Sequence, residues 1–190
     1  YVPPPGTLSA TETAALLGRA SANALGIPDP RGADLDAIFR TFAPAFVVDS
    51  AGNADLPGEL GWREDAMPHI VSQLPVVYRR ASHARYQGQT LLQLNYWLWF
   101  PERPKGAGWD ILGGHLDGVL WRVTLAPDGS PWVYDAIHPC GCYHLFFPTA
   151  RAVPNAQPDT LDETAFIPQA LPRIGPDARV ELRLESGTQY

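Results

Sequence analysis

The sequence predicts a mainly β, α+β fold: an antiparallel β-sandwich or curved sheet behind two N-terminal helices. Three observations lead there. Only two stretches, both before Pro44, carry apolar residues at helical spacing. Beyond Pro44 the chain reads as short alternating or apolar runs punctuated by Pro and Gly. Pro127-Asp128-Gly129 sits between two of those runs as a clear turn signal. The 190 residues are expected to form a single domain. Its parts are an arm and helices over 1–43, a β core over 44–147, a long wrapped loop over 148–176 and a closing strand over 177–190.

The first helix is announced by Ser9-Ala-Thr-Glu12, a capping box with Ser9 at the N-cap. Ala14, Leu16, Leu17 and Ala20 continue it, and Gly26 and Pro28 can end it. The second is expected over 33–42, with Leu35, Ile38, Phe39 and Phe42 on one face. Strands are expected over 45–49, 75–86 and 90–100. The last is the strongest, with Leu92, Leu94, Tyr96, Leu98 and Phe100 on one face and Leu91, Gln93, Asn95, Trp97 and Trp99 on the other. Two partly apolar faces suit a central strand covered on both sides. Runs over 119–125 and 132–137 flank the turn and form a hairpin. The alternation over 179–185 directs Val180, Leu182 and Leu184 inward.

Composition excludes some function classes. Net charge is −6, and Arg79, Arg80 and Arg85 are the nearest approach to a basic patch. Nucleic acid is therefore not expected as a partner. The longest apolar run, 91–100, is interrupted by Gln93 and Asn95, so no transmembrane segment is expected and the chain reads as soluble. Two Cys only two positions apart do not make a disulfide framework. The chain opens on Tyr1 instead of Met, which reads as a processed or trimmed form.

The residues that could carry chemistry lie between Asp110 and His144. His138-Pro-Cys-Gly-Cys-Tyr-His144 alternates four residues with strong affinity for zinc and its neighbours. A straight strand would spread His138 and His144 roughly 20 Å apart, whereas ligands must approach an ion within about 2.0–2.3 Å. Pro139 and Gly141 favour the bend that a site would need. His115 and Asp117, spaced as on one strand face, lie just upstream, and the hairpin after Asp117 returns to His138. Asp110 and Asp135 are nearby carboxylates.

Three chemistries share these residue types. In the first, His115, Asp117, His138, Cys140, Cys142 and His144 supply ligands to a divalent metal, with zinc favoured. A metal-bound water would then attack an ester or amide, with Asp117 and His115 as ligands or water activators. In the second, a non-catalytic module binds a small molecule, sugar or lipid headgroup, and any metal only holds its loops. In the third, Cys140 or Cys142 is a nucleophile served by His115 or His138, itself oriented by Asp117 or Asp135. A strained Cys140–Cys142 disulfide is a further option. Against all of these, each residue taken singly fits an ordinary structural role. His69 and His83 are read as structural. The stripe of Tyr96, Trp97 and Trp99 is read as core, with a ligand groove as the alternative.

Four segments in order are Leu94-Asn-Tyr-Trp-Leu-Trp-Phe-Pro101, Gly114-His-Leu-Asp-Gly118, Trp121-Arg-Val-Thr-Leu125 and Tyr134-Asp-Ala-Ile-His138. Together they resemble the β-sandwich of the necrosis- and ethylene-inducing peptide-like toxins, and of fungal vacuolar protein sorting proteins that share its pattern. The resemblance is confined to 94–138. It implies a sandwich, with His115 and Asp117 in a divalent-cation site and His138 close by. It also implies a secreted, cation-dependent protein that binds membrane glycolipid and need not be an enzyme; a secreted or periplasmic location is favoured over a cytoplasmic one. The chain departs from that pattern where Asp-Gly-Val-Leu-Trp stands in place of Asp-Trp-Glu, and in its Cys-Gly-Cys.

Overall fold

The computed structural model describes residues 2, 8–153, 165–172, 174 and 178–189. Most of the opening arm and about half of the expected wrapped loop lie outside the described residues. The fold is mainly β with two N-terminal helices, as the sequence predicts. Helix α1 spans Ala10–Ala20 and α2 spans Gly32–Phe42. The capping box forms: the Glu12 amide donates to Ser9 Oγ at 3.2 Å, and the Ser9 amide to Glu12 Oε2 at 2.8 Å. The carboxyl of Glu12 is held below its ordinary pKa, chiefly by that second bond.

Five strands form an antiparallel meander in chain order. Numbered along the chain they are β4 (Tyr78–Tyr86), β5 (Gln89–Arg103), β6 (Gly114–Leu125), β7 (Pro131–Ile137) and β8 (Leu145–Pro148). The turn between β4 and β5 places Gln87 and Gly88 at φ 48° and 80°, the twist a two-residue hairpin requires. The expected hairpin around Asp128 joins β6 and β7, closed by the Gly129 amide on Ala126 O at 2.9 Å. A Cβ on Gly129 would meet the Ala14 nitrogen at 2.6 Å, so this turn needs glycine to seat against α1.

Two short pairs complete the fold. The closing strand β9 (Glu181–Leu184) runs parallel to β1 (Ala45–Val48), in register from Ala45–Glu181 to Val48–Leu184. Strands β2 (Glu59–Trp62) and β3 (Pro68–Val71) form a hairpin that the sequence did not predict. Its signal is masked by Pro68 and by Gly61, where a Cβ would fall 2.9 Å from the His69 ring that lies opposite. The described part of 148–176 follows β8, with the Phe146 amide on Phe166 O and the Leu171 amide on Pro148 O.

The core lies on one face of the meander. Leu92, Leu94, Tyr96, Leu98 and Phe100 of β5 are buried there with Val119, Trp121 and Val123 of β6, and α1, α2, β1 and β9 cover them. Tyr96 donates its hydroxyl to Phe39 O at 2.8 Å, which satisfies a polar group that burial would otherwise penalise. The sheet's other layer is therefore two helices and a parallel pair, not a second full antiparallel sheet. Among the described residues, no helix is long and apolar enough to cross a membrane.

Candidate functional site

The predicted site residues sit at one end of the meander, but on both of its faces. Strand β6 begins just before His115, which pairs with Glu102, and Asp117 pairs with Phe100. Leu116 between them has φ 62°, so simple alternation fails here. The ring of His115 bonds to the carbonyl of Pro68 on β3. Gly118 permits a close approach: a Cβ there would strike the Leu98 carbonyl at 2.6 Å.

Strand β7 ends at Ile137 and the chain then turns. The Gly141 amide donates to His138 O at 2.8 Å, and the His138 amide to Cys142 O at 3.2 Å. Gly141 and Tyr143 take φ 84° and 55°. The turn falls where Pro139 and Gly141 favour a bend, but it does not gather the four side chains of 138–144 around one point. It leaves His138 on the core face and returns His144 to the opposite one.

On the core face, His138 Nδ1 lies 3.3 Å from Asp117 Oδ1, His138 being buried and Asp117 half-buried. The same oxygen accepts the Gly118 amide at 2.7 Å, while Asp117 Oδ2 is buried without a hydrogen-bond partner. His138 also lines a cavity of about 100 Å³, together with Trp121, Tyr143, Leu145, Phe147, Leu184 and Gln189. Trp121 and Gln189 are each 1% exposed. Among the described residues, neither the indole N–H of Trp121 nor either polar atom of the Gln189 amide has a hydrogen-bond partner. Buried polar atoms are nearly always paired, so three unmet atoms on two residues of one cavity wall are unusual.

On the opposite face, Asp135 is 2% exposed. Arg122 grips it with both prongs, Nε to Oδ1 at 3.0 Å and Nη2 to Oδ2 at 2.6 Å. His144 Nε2 donates to Oδ2 at 2.9 Å. This carboxylate is closed by two cationic or polar partners. Asp110 is a loop former: the Gly106, Leu112 and Gly113 amides donate to it and, Gly106 first, hold its carboxyl below the usual range.

The six expected metal donors are not assembled. Among the described residues no group of three His, Cys, Asp or Glu side chains is placed to hold a metal ion. The physical reason is the turn after His138, which leaves His138 beside Asp117 on the core face and carries His144 to Asp135 on the other. Cys140 is exposed and Cys142 half-buried, both as free thiols. The Cys142 amide donates to Cys140 Sγ at 3.4 Å. A hydrogen bond with Cys140 and its nearby charge push the Cys142 thiol up, the reverse of what a thiol nucleophile needs.

The residue reading missed Arg122, Trp121 and Gln189. Arg122 stands opposite Asp135 only through the register shift between Thr124 and Leu125, so counting outward from the turn at Asp128 misses the pair by one residue. Trp121 belongs to an apolar stripe, and nothing local marks its N–H as unmet. Gln189 carries no signal at all. Comparison with family models, with curated proteins and with solved structures finds no match.

Proposed function

We propose that the chain is a small-ligand binding module whose site is the cavity between β6, β7, β8 and the segment after β9. One observation carries this reading: Trp121 and Gln189, both in the wall of the same cavity, carry a buried indole N–H and a buried amide that have no hydrogen-bond partner among the described residues. Leaving such a group unmet costs about 1–3 kcal/mol, which a ligand or water would recover. A ligand accepting from the indole and exchanging bonds with the amide, with a short apolar body against Leu145, Phe147 and Leu184, suits these walls. At about 100 Å³ the space fits a small uncharged molecule, well below a drug-sized pocket.

The test is saturation-transfer NMR with propionamide and n-butanol as probes, on the wild-type chain and on Trp121→Phe and Gln189→Leu. Saturable binding that weakens at least tenfold in both variants supports the reading. Equal binding in all three, or none in the wild type, overturns it.

A second reading is favoured by the 3.3 Å approach of Asp117 to His138. Here the pair is an acid–base dyad at the cavity wall. Asp117 orients the ring through Nδ1, and Nε2 takes a proton from a water as its oxygen attacks an ester carbonyl. The C–O bond to the leaving group then breaks, the proton passes to that alcohol or phenol, and a carboxylic acid remains. Hydrolysis of p-nitrophenyl acetate that falls about 100-fold in Asp117→Asn and survives chelator supports it. Hydrolysis lost on chelation would instead return His115, Asp117, His138, Cys140, Cys142 and His144 to the metal reading, with zinc first among candidates.

A further inference from the structure

We infer that Cys140 and Cys142 form a thiol–disulfide exchange site that reacts with small-molecule disulfides such as oxidised glutathione. Three features place the pair for this chemistry. Both thiols are free, although only Gly141 separates them. The Cys142 amide lies 3.4 Å from Cys140 Sγ, so the turn folds the first sulfur back over the second residue. Gly141 holds φ 84°, and a Cβ there would meet nothing within 4 Å, so the turn has both the backbone freedom and the room to tighten.

The difference in exposure divides the roles. Cys140 is exposed and Cys142 half-buried. The Cys140 thiolate attacks one sulfur of the glutathione disulfide, forming a mixed disulfide and releasing one glutathione thiolate. The mixed disulfide removes the Cys140 thiol and charge that hold the Cys142 thiol up, and the Cys142 thiolate then attacks Cys140 Sγ, closing the intramolecular disulfide and releasing the second. The two protons leave with the two glutathione molecules: two protein thiols are oxidised and one small disulfide is reduced. A ring closed across a single residue is strained, and strained disulfides are the readily reduced ones. The oxidised pair is therefore a donor of oxidising equivalents and not a permanent staple.

The backbone couples this pair to the cavity. The turn that carries the thiols begins at His138, whose amide donates to Cys142 O at 3.2 Å, and it continues into Tyr143. Both His138 and Tyr143 line the cavity.

The experiment is incubation of the reduced full chain with graded mixtures of oxidised and reduced glutathione, quenching with acid, alkylation and intact-mass spectrometry. Loss of two hydrogens with no adduct in the wild type is expected, appearing only where oxidised glutathione dominates. Cys142→Ser should stop at a glutathione adduct on Cys140, and Cys140→Ser should react at least tenfold more slowly. A stable adduct on the wild type, a disulfide-linked dimer, or two thiols still free in oxidised glutathione alone would each overturn the inference.

Discussion

Two Asp–His pairs lie on opposite faces of the same sheet, and they differ in how much of their hydrogen-bonding capacity the protein uses. Asp135 has both oxygens engaged, by the fork of Arg122 and by His144. Asp117 accepts the Gly118 amide through one oxygen, which lies 3.3 Å from His138 Nδ1, and its other oxygen is buried with no partner among the described residues. A closed network fixes a sheet, whereas an open one beside a cavity has capacity left for something that is not protein. The residue types are the same in both pairs. What separates them is a third partner, Arg122, and a space, the cavity beside His138.

The strongest way to break that comparison is to remove the third partner. Arg122→Ala leaves a buried carboxylate with only His144 to meet it. Stripping one side of a buried ion pair typically costs about 3–5 kcal/mol. The lower end is expected here, because the Arg122 side chain is 23% exposed and water can enter. Urea unfolding should therefore show a loss of about 3 kcal/mol. A loss below about 1 kcal/mol would mean that the Asp135 network is no more closed than a surface pair.

Asp55 sharpens the closed end of the comparison with a pH readout. It is buried and accepts from the Ala51 and Gly52 amides, Ser186 Oγ and the Gly187 amide. Burial alone would raise its pKa, but these four bonds outweigh it and hold the carboxyl below its ordinary value. A folded-state pKa below the unfolded one, near 3.9 for Asp, contributes stability that is fully present above the unfolded value. That contribution is lost as pH falls through the folded one. Asp55→Asn should therefore cost about 2 kcal/mol at neutral pH, a difference that shrinks below about pH 4. Thermal melts of both chains across pH 2–7 check this, and a gap independent of pH would contradict it.

The fold was largely legible in the sequence because its signals are local. Ser9 and Glu12 mark a helix start within four residues, the stripe from Leu92 to Phe100 marks the buried face of β5, and Asp128-Gly129 marks a hairpin. Legibility ended where a side chain's surroundings depend on distant chain or on a few backbone angles. Pro139 and Gly141 marked a bend between His138 and His144 but not its direction, and positive φ at Gly141 and Tyr143 sent the two histidines to different faces. Gln189 is buried only because β9 pairs with β1 near the far end of the chain, a pairing that no local pattern announces. The site's donors were thus found by residue type, while their grouping required the register.

The smallest effect on stability is expected at the open pair, and that smallness is what makes it informative. In Asp117→Asn the side-chain oxygen can still accept the Gly118 amide, so that bond survives. What is lost is the charge 3.3 Å from His138, while the buried atom without a partner becomes an amide or an oxygen in the same place. The cost should be about 1 kcal/mol or less, read by urea unfolding beside Arg122→Ala. If the two variants cost the same, Asp117 is as much a structural carboxylate as Asp135, and the distinction between a closed and an open pair fails. If Asp117→Asn folds at near wild-type stability while ester hydrolysis falls, the charge on Asp117 serves the cavity more than the fold.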